Sequence, residues 1–242
     1  MLEQRDGVSV SELSQLLSVS EVTIRSDLSE LEHAGLLRRT RGGASKPLAS
    51  RFEQPIEETR KQHAQAKRRI GQAAAALIQD GETVMIDVGS TTSEVARHIS
   101  PRLSGVTVVT SGLNVALELE RLPNLRIVVT GGTLRRLQHS LVSPYGLDLL
   151  SRFRPDRLFL GCNGIETGAG VTNANVEEAE IKARMVEISR FTVVVADRSK
   201  LGQIAAATVA PLSAVSLLIS DARAGEEALQ PLRAAGLQVQ TA

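Results

Sequence analysis

From Glu82 onward the sequence alternates short apolar runs with stretches of helical period, and this alternation limits the fold more than any other feature. Continuous runs of Val, Ile and Leu joined by helices are typical of a largely parallel sheet that is covered on both faces. We therefore predict an α/β fold. Strands are expected at 83–88, 106–110, 126–130, 157–161, 192–196, 215–220 and, with a weaker pattern, 237–240. Helices are expected at 92–99, 114–121, 177–189 and 226–235.

The overall composition is that of a globular protein. The 242 residues are 42% hydrophobic and 23% charged, and this length is sufficient to bury a full α/β core. The single cysteine, Cys162, excludes an internal disulfide and fits a reducing compartment. The first residues are charged without a following apolar segment, and no apolar run approaches the ~20 residues of a membrane span. We expect a cytoplasmic protein.

Charge is distributed unevenly, although the formal net charge is only +1. Residues 1–36 carry a net charge of −5, residues 37–69 a net charge of +7, and the remainder a net charge of −1. A basic block that directly follows an acidic one requires a local explanation. Arginines 38, 39 and 41 supply part of it if they contact phosphates.

The first 45 residues have the pattern of two short helices joined by a tight turn. Apolar residues at Leu13, Leu16 and Leu17 mark the first helix, which either Ser9 or Ser11 caps, Ser9 with Glu12 having capping-box spacing. Ser20 is the expected N-cap of the second helix, whose buried stripe is predicted to be Ile24, Leu28 and Leu31. A strand and a Gly-Gly hairpin follow, as in the wing of a winged helix.

The exposed face of the second helix would enter the major groove of DNA by its N-terminal half. The acidic count of residues 1–36 weighs against DNA binding, the basic wing weighs for it, and helix-turn-helix patterns also occur in proteins that never bind DNA. The predicted DNA-binding residues are Ser20, Glu21, Val22, Thr23, Arg25 and Ser26 of the helix and Arg38, Arg39, Arg41 and Gly42 of the wing.

The residues themselves add a resemblance. The stretch "SVSELSQLLSVSEVTIRSDLSELEHAGLLRRTRGGA" resembles the DNA-binding segment of the DeoR family of bacterial transcriptional regulators. Ser26 stands where that family usually has a second arginine, which removes one phosphate or base contact. The family also begins with a full helix, of which only residues 1–6 remain here, so we expect a truncated first helix. The predicted domains are a winged helix at 1–46, a linker and linker helix at 47–69, and an effector-sensing domain at 70–242.

Polar turns follow five of the predicted strands. Each combines Gly with Ser, Thr, Asn or Lys, and strand ends of one parallel sheet meet at the same edge, where ligands bind. Free N–H groups at a helix start favour an anion. Each turn alone could be an ordinary connection, but five in succession favour a polar pocket. The predicted ligand-binding residues are Asp87, Gly89, Ser90, Thr91, Thr92, Ser111, Asn114, Gly131, Gly132, Asn163, Gly164, Glu178 and Lys200.

The order of these turns is also similar to that of the DeoR-family sensor domain. The resemblance implies a fold akin to ribose-5-phosphate isomerases and CoA transferases and the sensing of phosphorylated sugars. It implies that Ser90, Thr91 and Thr92 hold the phosphate with Lys200 nearby, and that the turns at Ser111, Gly131 and Asn163 line the sugar. The stretch "GVTNANVEEA" resembles family members that control amino-sugar genes, notably N-acetylgalactosamine operons.

The alternative function is a phosphosugar isomerase with a vestigial DNA-binding head. Such an enzyme needs a positioned base, usually a carboxylate. The loop "GCNGI" lacks the two aspartates that the related isomerases carry there. Asp87 could bond sugar hydroxyls or hold its own turn, and Glu178 is the acid of its helix start that we expect to face the sugar.

No other chemistry is indicated by the sequence. The four histidines have no ligand spacing, so neither a metal nor a cofactor is predicted, and Cys162 is interpreted as a packing residue. The loop around His139 either closes over the ligand or is a plain surface loop. The sequence thus predicts a non-enzymatic repressor of a sugar operon that binds double-stranded operator DNA as a dimer or tetramer and responds to a phosphorylated sugar.

Overall fold

A computed structural model describes residues 7–33, 37–40, 42–45, 53–142 and 144–242. The chain divides into two compact units, residues 1–54 and residues 55–242. No helix in the described ranges is long and apolar enough to cross a membrane.

The N-terminal unit contains two helices and a small antiparallel sheet. Its elements are β1 (Gly7–Ser9), α1 (Val10–Leu17), α2 (Glu21–His33), β2 (Arg38–Thr40) and β3 (Gly43–Ser45), with the strand order β1-β3-β2. The two helices and the hairpin of β2 and β3 confirm the predicted winged helix-turn-helix. Strand β1, which the sequence analysis did not predict, completes the sheet.

Side-chain caps define both helices of this unit. The Ser9 hydroxyl accepts a hydrogen bond from the N–H of Glu12, whose carboxylate accepts from the N–H of Ser9, so Ser9 rather than Ser11 caps α1. Ser18 ends α1 in a left-handed conformation with φ 55°. Ser20 accepts from the N–H of Thr23 at 3.2 Å and begins α2. The turn is therefore short, because Ser18 ends one helix and Ser20 begins the next with only Val19 between them.

Two predictions for this unit were wrong in detail. The Gly-Gly pair does not form the wing turn, because Gly43 pairs with Thr40 in the sheet; Arg41 lies outside the described residues. Gly43 is a strand residue, and a Cβ there would lie 2.2 Å from the carbonyl oxygen of Val8 on β1. Leu31 is 39% exposed instead of buried. The core described for this unit consists of Val8, Val10, Ile24, Leu28, Leu37 and Ala44, with Leu13 partly buried.

The second unit begins with two helices, α3 (Ile56–Lys61) and α4 (Ala64–Ala75). Residues 55–69, which the sequence analysis assigned to a linker segment, lie within this unit. The two helices are joined by extended Gln62 and left-handed His63, which has φ 51°. Ile56 is completely buried, so the first turn of α3 is part of the folded unit.

A seven-stranded parallel sheet forms the centre of the second unit. Its order is β15-β14-β12-β9-β4-β5-β6, and every predicted strand is present. The remaining elements in chain order are β4 (Thr83–Ile86), α5 (Ser90–His98), β5 (Thr107–Thr110), α6 (Leu113–Leu119), β6 (Arg126–Val129), β7 (Thr133–Arg135), β8 (Ser140–Val142), α7 (Tyr145–Leu150), β9 (Arg157–Leu160), β10 (Gly164–Glu166), β11 (Gly170–Asn173), α8 (Val176–Ile188), β12 (Thr192–Val195), β13 (Ala207–Ala210), β14 (Leu217–Ser220), α9 (Glu226–Ala234) and β15 (Val239–Thr241).

Alternate residues of the strands supply the two halves of the core. Met85 packs with residues of α7, α8 and α9 on one face, whereas Val84 and Ile86 pack with residues of α4, α5 and α6 on the other. This alternation explains why the strands are apolar without a break and confirms the predicted fold class.

The chain reverses its direction of progress across the sheet between β4 and β9. Strands β5 and β6 extend the sheet on one side of β4, and β9, β12, β14 and β15 extend it on the other. A crevice forms at such a reversal, beyond the carboxyl ends of the two central strands. Two antiparallel additions lie outside the main sheet: the hairpin of β7 and β8, and a three-stranded sheet of order β10-β11-β13.

Candidate functional site

A buried ion pair lies at the carboxyl ends of β4 and β9. The ammonium of Lys182, on α8, contacts Oδ2 of Asp87 and donates to the carbonyl of Gly161 at 3.1 Å. The N–H of Gly161 in turn donates to Oδ2 of Asp87 at 3.0 Å. Burial raises the pKa of Asp87, and the opposing charge of Lys182 works against that rise. The pair therefore ties the two central strand ends to α8.

Helix α5 begins beside this pair with backbone N–H groups that no capping side chain accepts from within the described part of the chain. Gly89 precedes it with φ 153°, and the first helical hydrogen bond runs from the N–H of Ser93 to the carbonyl of Gly89 at 3.0 Å. The preceding N–H groups of residues 90–92 belong to the orphan donors of a helix start. Such donors, with the helix dipole, favour an anion.

The hydroxyls of this turn are not equivalent. Ser90 is half-buried and its neighbour Thr91 is buried. Thr92 is completely buried, and its hydroxyl donates to the carbonyl of Gly89 at 3.0 Å. Ser93 donates to the same carbonyl at 2.7 Å. The structure thus places Thr92, predicted as a phosphate ligand, inside the turn that supports the helix start.

Asn114 joins the start of α6 to the start of α5. Its Nδ2 donates to the Ser93 hydroxyl at 2.8 Å, and this hydroxyl has its own proton directed at Gly89. Because the Ser93 hydroxyl donates its proton to Gly89, it accepts from Asn114, so the amide nitrogen of Asn114 faces it. The carbonyl oxygen of Asn114 is buried and, among the described residues, receives no hydrogen bond.

Glu178 is the centre of a second polar cluster. Its carboxylate is contacted by Arg135 and by the Ser140 hydroxyl of the β7–β8 hairpin, and it accepts from Nδ2 of Asn173 at 3.3 Å. Asn175 caps α8 by accepting from the N–H of Glu178 at 2.9 Å. The charge of Glu178 also acts on Asp87 and Lys182, so the two clusters are neighbours.

The loop after β12 brings a third group of charges to the same edge. Asp197 accepts from the N–H of Ser199 at 2.9 Å through Oδ1, and its Oδ2 lies 3.8 Å from the buried ammonium of Lys67 on α4. Lys200 is half-buried, and its charge acts on Lys67 and on Cys162. Burial raises the pKa of Cys162 to about 12, which keeps the thiol protonated at neutral pH. We call Asp87, Ser90, Asn114, Gly161 and Asp197 the strand-end site.

Several other predicted ligand residues make contacts that stabilise the fold. Gly164 and Gly132 allow close backbone approaches, because a Cβ would lie 2.2 Å from the Gln203 carbonyl oxygen and 2.4 Å from that of Val142, respectively. Oδ1 of Asn163 accepts from the N–H of Ala174, and the Ser111 carbonyl accepts from the N–H of Leu141. Gly131, with φ 72°, has open space where a Cβ would point.

Lys200 was predicted at this edge, but three further cations, Lys182, Lys67 and Arg135, were not. Lys182 and Lys67 are buried to 3% and 4% exposure and come from helices, and Arg135 comes from a hairpin that was predicted only as a loop. One signal was available for Lys182. It lies one helical turn after Glu178 and therefore on the same face of α8.

The predicted DNA-contacting surface of α2 is exposed. Val22 is 75% exposed, and Arg25 forms an ion pair with Glu21 at 2.9 Å on the surface. Arg39 of the wing is directed to α2, where its Nη1 donates to the Arg25 carbonyl and to the Ser29 hydroxyl, both at 2.9 Å. The wing and α2 are thus held together by Arg39; the side chain of Arg38 lies outside the described atoms.

Comparisons with known proteins cover nearly the whole chain. A family model described as the DeoR C terminal sensor domain matches residues 62–222, and one described as a DeoR-like helix-turn-helix domain matches residues 1–47. The chain is 37% identical to the HTH-type transcriptional regulator GlpR of Haloferax volcanii over 99% of this chain and 93% of that protein. It is 34% identical to the glycerol-3-phosphate regulon repressor of Escherichia coli (strain K12), over 92% of this chain and 87% of that protein.

A further relative is the putative aga operon transcriptional repressor of Escherichia coli O157:H7, 34% identical over 98% of this chain and 89% of that protein. Among solved structures, a D-ribose-5-phosphate isomerase in complex with phospho-erythronic acid matches with a TM-score of 0.43 and 13% identity, over 57% of this chain and 53% of that one. The translation initiation factor eIF-2B of Pyrococcus horikoshii OT3 matches with a TM-score of 0.45 and 17% identity, over 67% and 64%.

Proposed function

Because the chain belongs to the DeoR family of transcriptional regulators, we propose that it is a repressor of a sugar-catabolism operon and that a phosphorylated sugar changes its affinity for operator DNA. In this proposal residues 1–46 bind DNA through the exposed face of α2, with Glu21, Val22, Arg25 and Ser26 facing the groove. Residues 70–242 bind the effector. A phosphorylated sugar is the class of ligand that carries both an oxyanion and several hydroxyls.

One observation supports this ligand class above the others. The strand-end site combines orphan N–H donors at the start of α5 with buried acceptor oxygens that have no donor among the described residues: Oδ1 of Asp87, Oδ1 of Asn114 and Oδ2 of Asp197. Buried polar atoms are normally paired, so each unpaired oxygen requires a donor from elsewhere. A phosphate satisfies the N–H groups, and sugar hydroxyls satisfy the oxygens. An amino-sugar phosphate would add an ammonium or amide donor.

Substitutions of Ser90 test the anion part of this proposal. Ser90→Asp places a carboxylate in the first turn of α5, where it suits the helix dipole but repels a phosphate. We expect the effector affinity to fall about tenfold or more, since ~1.4 kcal/mol of repulsion is sufficient for that change. Ser90→Asn, of similar size and neutral, is the control. A thermal-shift screen of phosphorylated sugars and their unphosphorylated counterparts gives the measurement, and equal responses to both sets would contradict the proposal.

We also propose that the second unit does not turn over its ligand. An aldose–ketose isomerase requires a carboxylate that is available as a base. The two acids weighed for this role, Asp87 and Glu178, are each in contact with a cation, Lys182 and Arg135. Incubation with pentose and hexose phosphates should show no isomer formation. Turnover that is lost in Asp87→Asn or Glu178→Gln would instead support the enzyme.

Specific binding of operator DNA implies that more than one copy of the chain takes part. One winged helix reads only a short site, so we propose a dimer or tetramer that binds repeated half-sites in the cytoplasm. Light scattering of the full chain, alone and with the DNA upstream of its own gene, checks this. A monomer in both states would contradict it.

A further inference from the structure

The short helix α3 is held at both ends by side chains and loops that lead to the strand-end site. At its beginning, the N–H of Ile56 donates to the carbonyl of Leu137 at 3.0 Å, and the Glu57 carboxylate lies 3.6 Å from Nε2 of His139. Both partners belong to the turn of the β7–β8 hairpin. At its end, the carbonyl of Thr59 accepts a hydrogen bond from Nζ of Lys67.

The hairpin turn is itself attached to Glu178. Arg135 is the last residue of β7 and Ser140 the first residue of β8, and both bind the Glu178 carboxylate. These two residues flank the four-residue turn that holds the beginning of α3. A group that competes for Arg135 or for Glu178 therefore alters the support of Ile56.

Lys67 connects the other end of α3 to the loop after β12. The side chain is 4% exposed and divides its single ammonium between the Thr59 carbonyl and Oδ2 of Asp197, 3.8 Å away. That oxygen receives no hydrogen bond among the described residues. A buried cation with two acceptors in different elements holds those elements in a fixed relation, because leaving either charge unpaired is costly.

The joint after α3 permits a change of direction without unwinding the next helix. Gln62 is extended and His63 is left-handed, and the regular hydrogen bonds of α4 begin with Lys67 N–H to His63 carbonyl at 3.0 Å. A left-handed non-glycine residue costs about 1 kcal/mol or more and persists only where its surroundings fix it. The hydrogen bond from Lys67 to the Thr59 carbonyl spans this joint.

We propose that α3 transmits the occupancy of the strand-end site, and that Lys67 and the β7–β8 turn are the positioning residues that couple it to the ligand. The inference rests on the function proposed above for that site. An anion at the start of α5 attracts Lys67 and Arg135, and donors from the ligand take over Asp197, so both ends of α3 lose part of their support. Because α3 begins two residues after Gln54, the last residue of the N-terminal unit, its movement acts on the covalent connection to the DNA-binding residues.

Hydrogen–deuterium exchange on the full chain tests the coupling without any ligand. In Lys67→Met we expect amides of α3 and of residues 198–202 to exchange about tenfold faster, the effect of ~1.4 kcal/mol on local opening. The matched control is Lys61→Met, the same substitution at an exposed lysine of α3 itself, and it should leave both segments unchanged. Unchanged exchange of α3 in Lys67→Met would overturn the proposal.

Two further variants keep the test decisive if Lys67→Met does not fold. Asp197→Asn retains the acceptor for Ser199 and removes the charge facing Lys67, so it should loosen α3 and residues 198–202 together. Ser140→Ala removes one donor to Glu178 and should loosen the first turn of α3 alone. If neither variant changes exchange in α3, the helix is not coupled to the site.

Inorganic phosphate, the part common to all candidate effectors, is the probe for the ligand-bound state. In the wild-type chain it should protect the amides of residues 90–92 and accelerate exchange in α3, whereas in Lys67→Met only the protection should remain. Protection without a response of α3 in the wild-type chain overturns the coupling. Absence of protection overturns the proposed anion site, while the substitutions still decide the role of Lys67.

Discussion

The exposed face of α2 and the strand-end site are built in opposite ways. On α2 the side chains expected to contact DNA extend into solvent, and the ion pair between Arg25 and Glu21 is a surface contact. At the strand-end site the polar groups are buried and serve as partners for one another, as Asp87, Lys182 and Gly161 do. Exposed residues of the first surface, such as Val22, can change with little consequence for the fold, whereas the second is part of the fold.

This difference has a functional meaning. A DNA-binding surface must present donors and charges to a large rigid partner, and exposed surface ion pairs are worth only about 0–1 kcal/mol to the protein. A small ligand instead has to shift the protein between conformations, which requires that it binds one of them more tightly than the other. We therefore expect substitutions at the two regions to separate stability from DNA affinity.

The largest effect is expected for Lys182→Met. This change leaves the carboxylate of Asp87 buried without its cation, and removing one partner of such a pair typically costs about 3–5 kcal/mol. Urea unfolding of the second unit provides the free energy of unfolding. Lys61→Met, which breaks the exposed pair with Glu58, should cost less than about 1 kcal/mol. Similar losses in the two variants would remove the contrast between buried and exposed charges.

A pH titration of Lys67 should give the next largest effect. Burial lowers the pKa of Lys67 from 10.5 to about 8. The negative charge of Asp197 raises this pKa, the positive charge of Lys200 lowers it, and the negative charge of Glu94 raises it more weakly. Between these two values the unfolded chain binds the proton more tightly than the folded chain, so the free energy of unfolding rises with pH. Relative to Lys67→Met, the wild-type chain should gain about 2–3 kcal/mol between about pH 7 and pH 10.

Unfolding curves of both proteins at several pH values measure this gain. Lys61→Met, the same substitution at an exposed lysine, is the control. A difference between the wild-type chain and Lys67→Met that is independent of pH would mean that Lys67 keeps an ordinary pKa.

Gly43→Ala should weaken the N-terminal unit by about 1–3 kcal/mol and leave the second unit unchanged. The added Cβ would lie 2.2 Å from the Val8 carbonyl oxygen, so β1 and β3 must separate. Hydrogen exchange in α1 and α2, compared with exchange in the parallel sheet, measures both units in one experiment. Gly7→Ala, whose Cβ would meet its nearest neighbour at an ordinary 3.5 Å, is the control. Destabilisation of both units would show that they do not unfold separately.

The smallest expected change concerns DNA affinity. Ser26→Arg restores an arginine on the exposed face of α2 and should add one phosphate contact, so the plot of log affinity against log salt should become steeper by about 0.9. Fluorescence anisotropy with duplex DNA from upstream of the gene gives the slope. Ser26→Gln controls for size, and stability should be unchanged in both variants. An unaltered slope would place Ser26 away from the DNA backbone.

The sequence predicted the parallel sheet well because its signal is local. Six of the seven strands are short apolar runs, β15 having the weaker pattern, and helices of clear period follow most of them. The hairpin of β7 and β8 and the β10-β11-β13 sheet were missed, because these strands have only three or four residues each and contain Gly, Ser, Thr and Asn as ordinary loops do. The wing turn was misplaced, since pairing with β1, and not the Gly-Gly pair, determines which glycine lies in the strand.

Of the candidate site, the sequence predicted only the residues that lie in the turns after strands. Asp87, Ser90 and Asn114 follow directly from strands and helix starts. Their partners do not, because Lys182 is 95 residues from Asp87 along the chain and no periodicity links them. The same limit applies to Thr92, whose hydroxyl donates to the backbone of its own turn, and to Asn163, whose side chain accepts from the backbone that follows β11.

The distance along the chain between Asp87 and its partners also orders events during synthesis. The N-terminal unit is complete once residue 54 has left the ribosome, whereas the N–H of Gly161 and the ammonium of Lys182 reach Asp87 only 74 and 95 residues after it. Domains of a growing chain fold in turn from the N-terminus. The part that is expected to bind DNA is therefore finished long before the part that is expected to sense the metabolite, and a prematurely terminated chain would retain the first without the control exerted by the second.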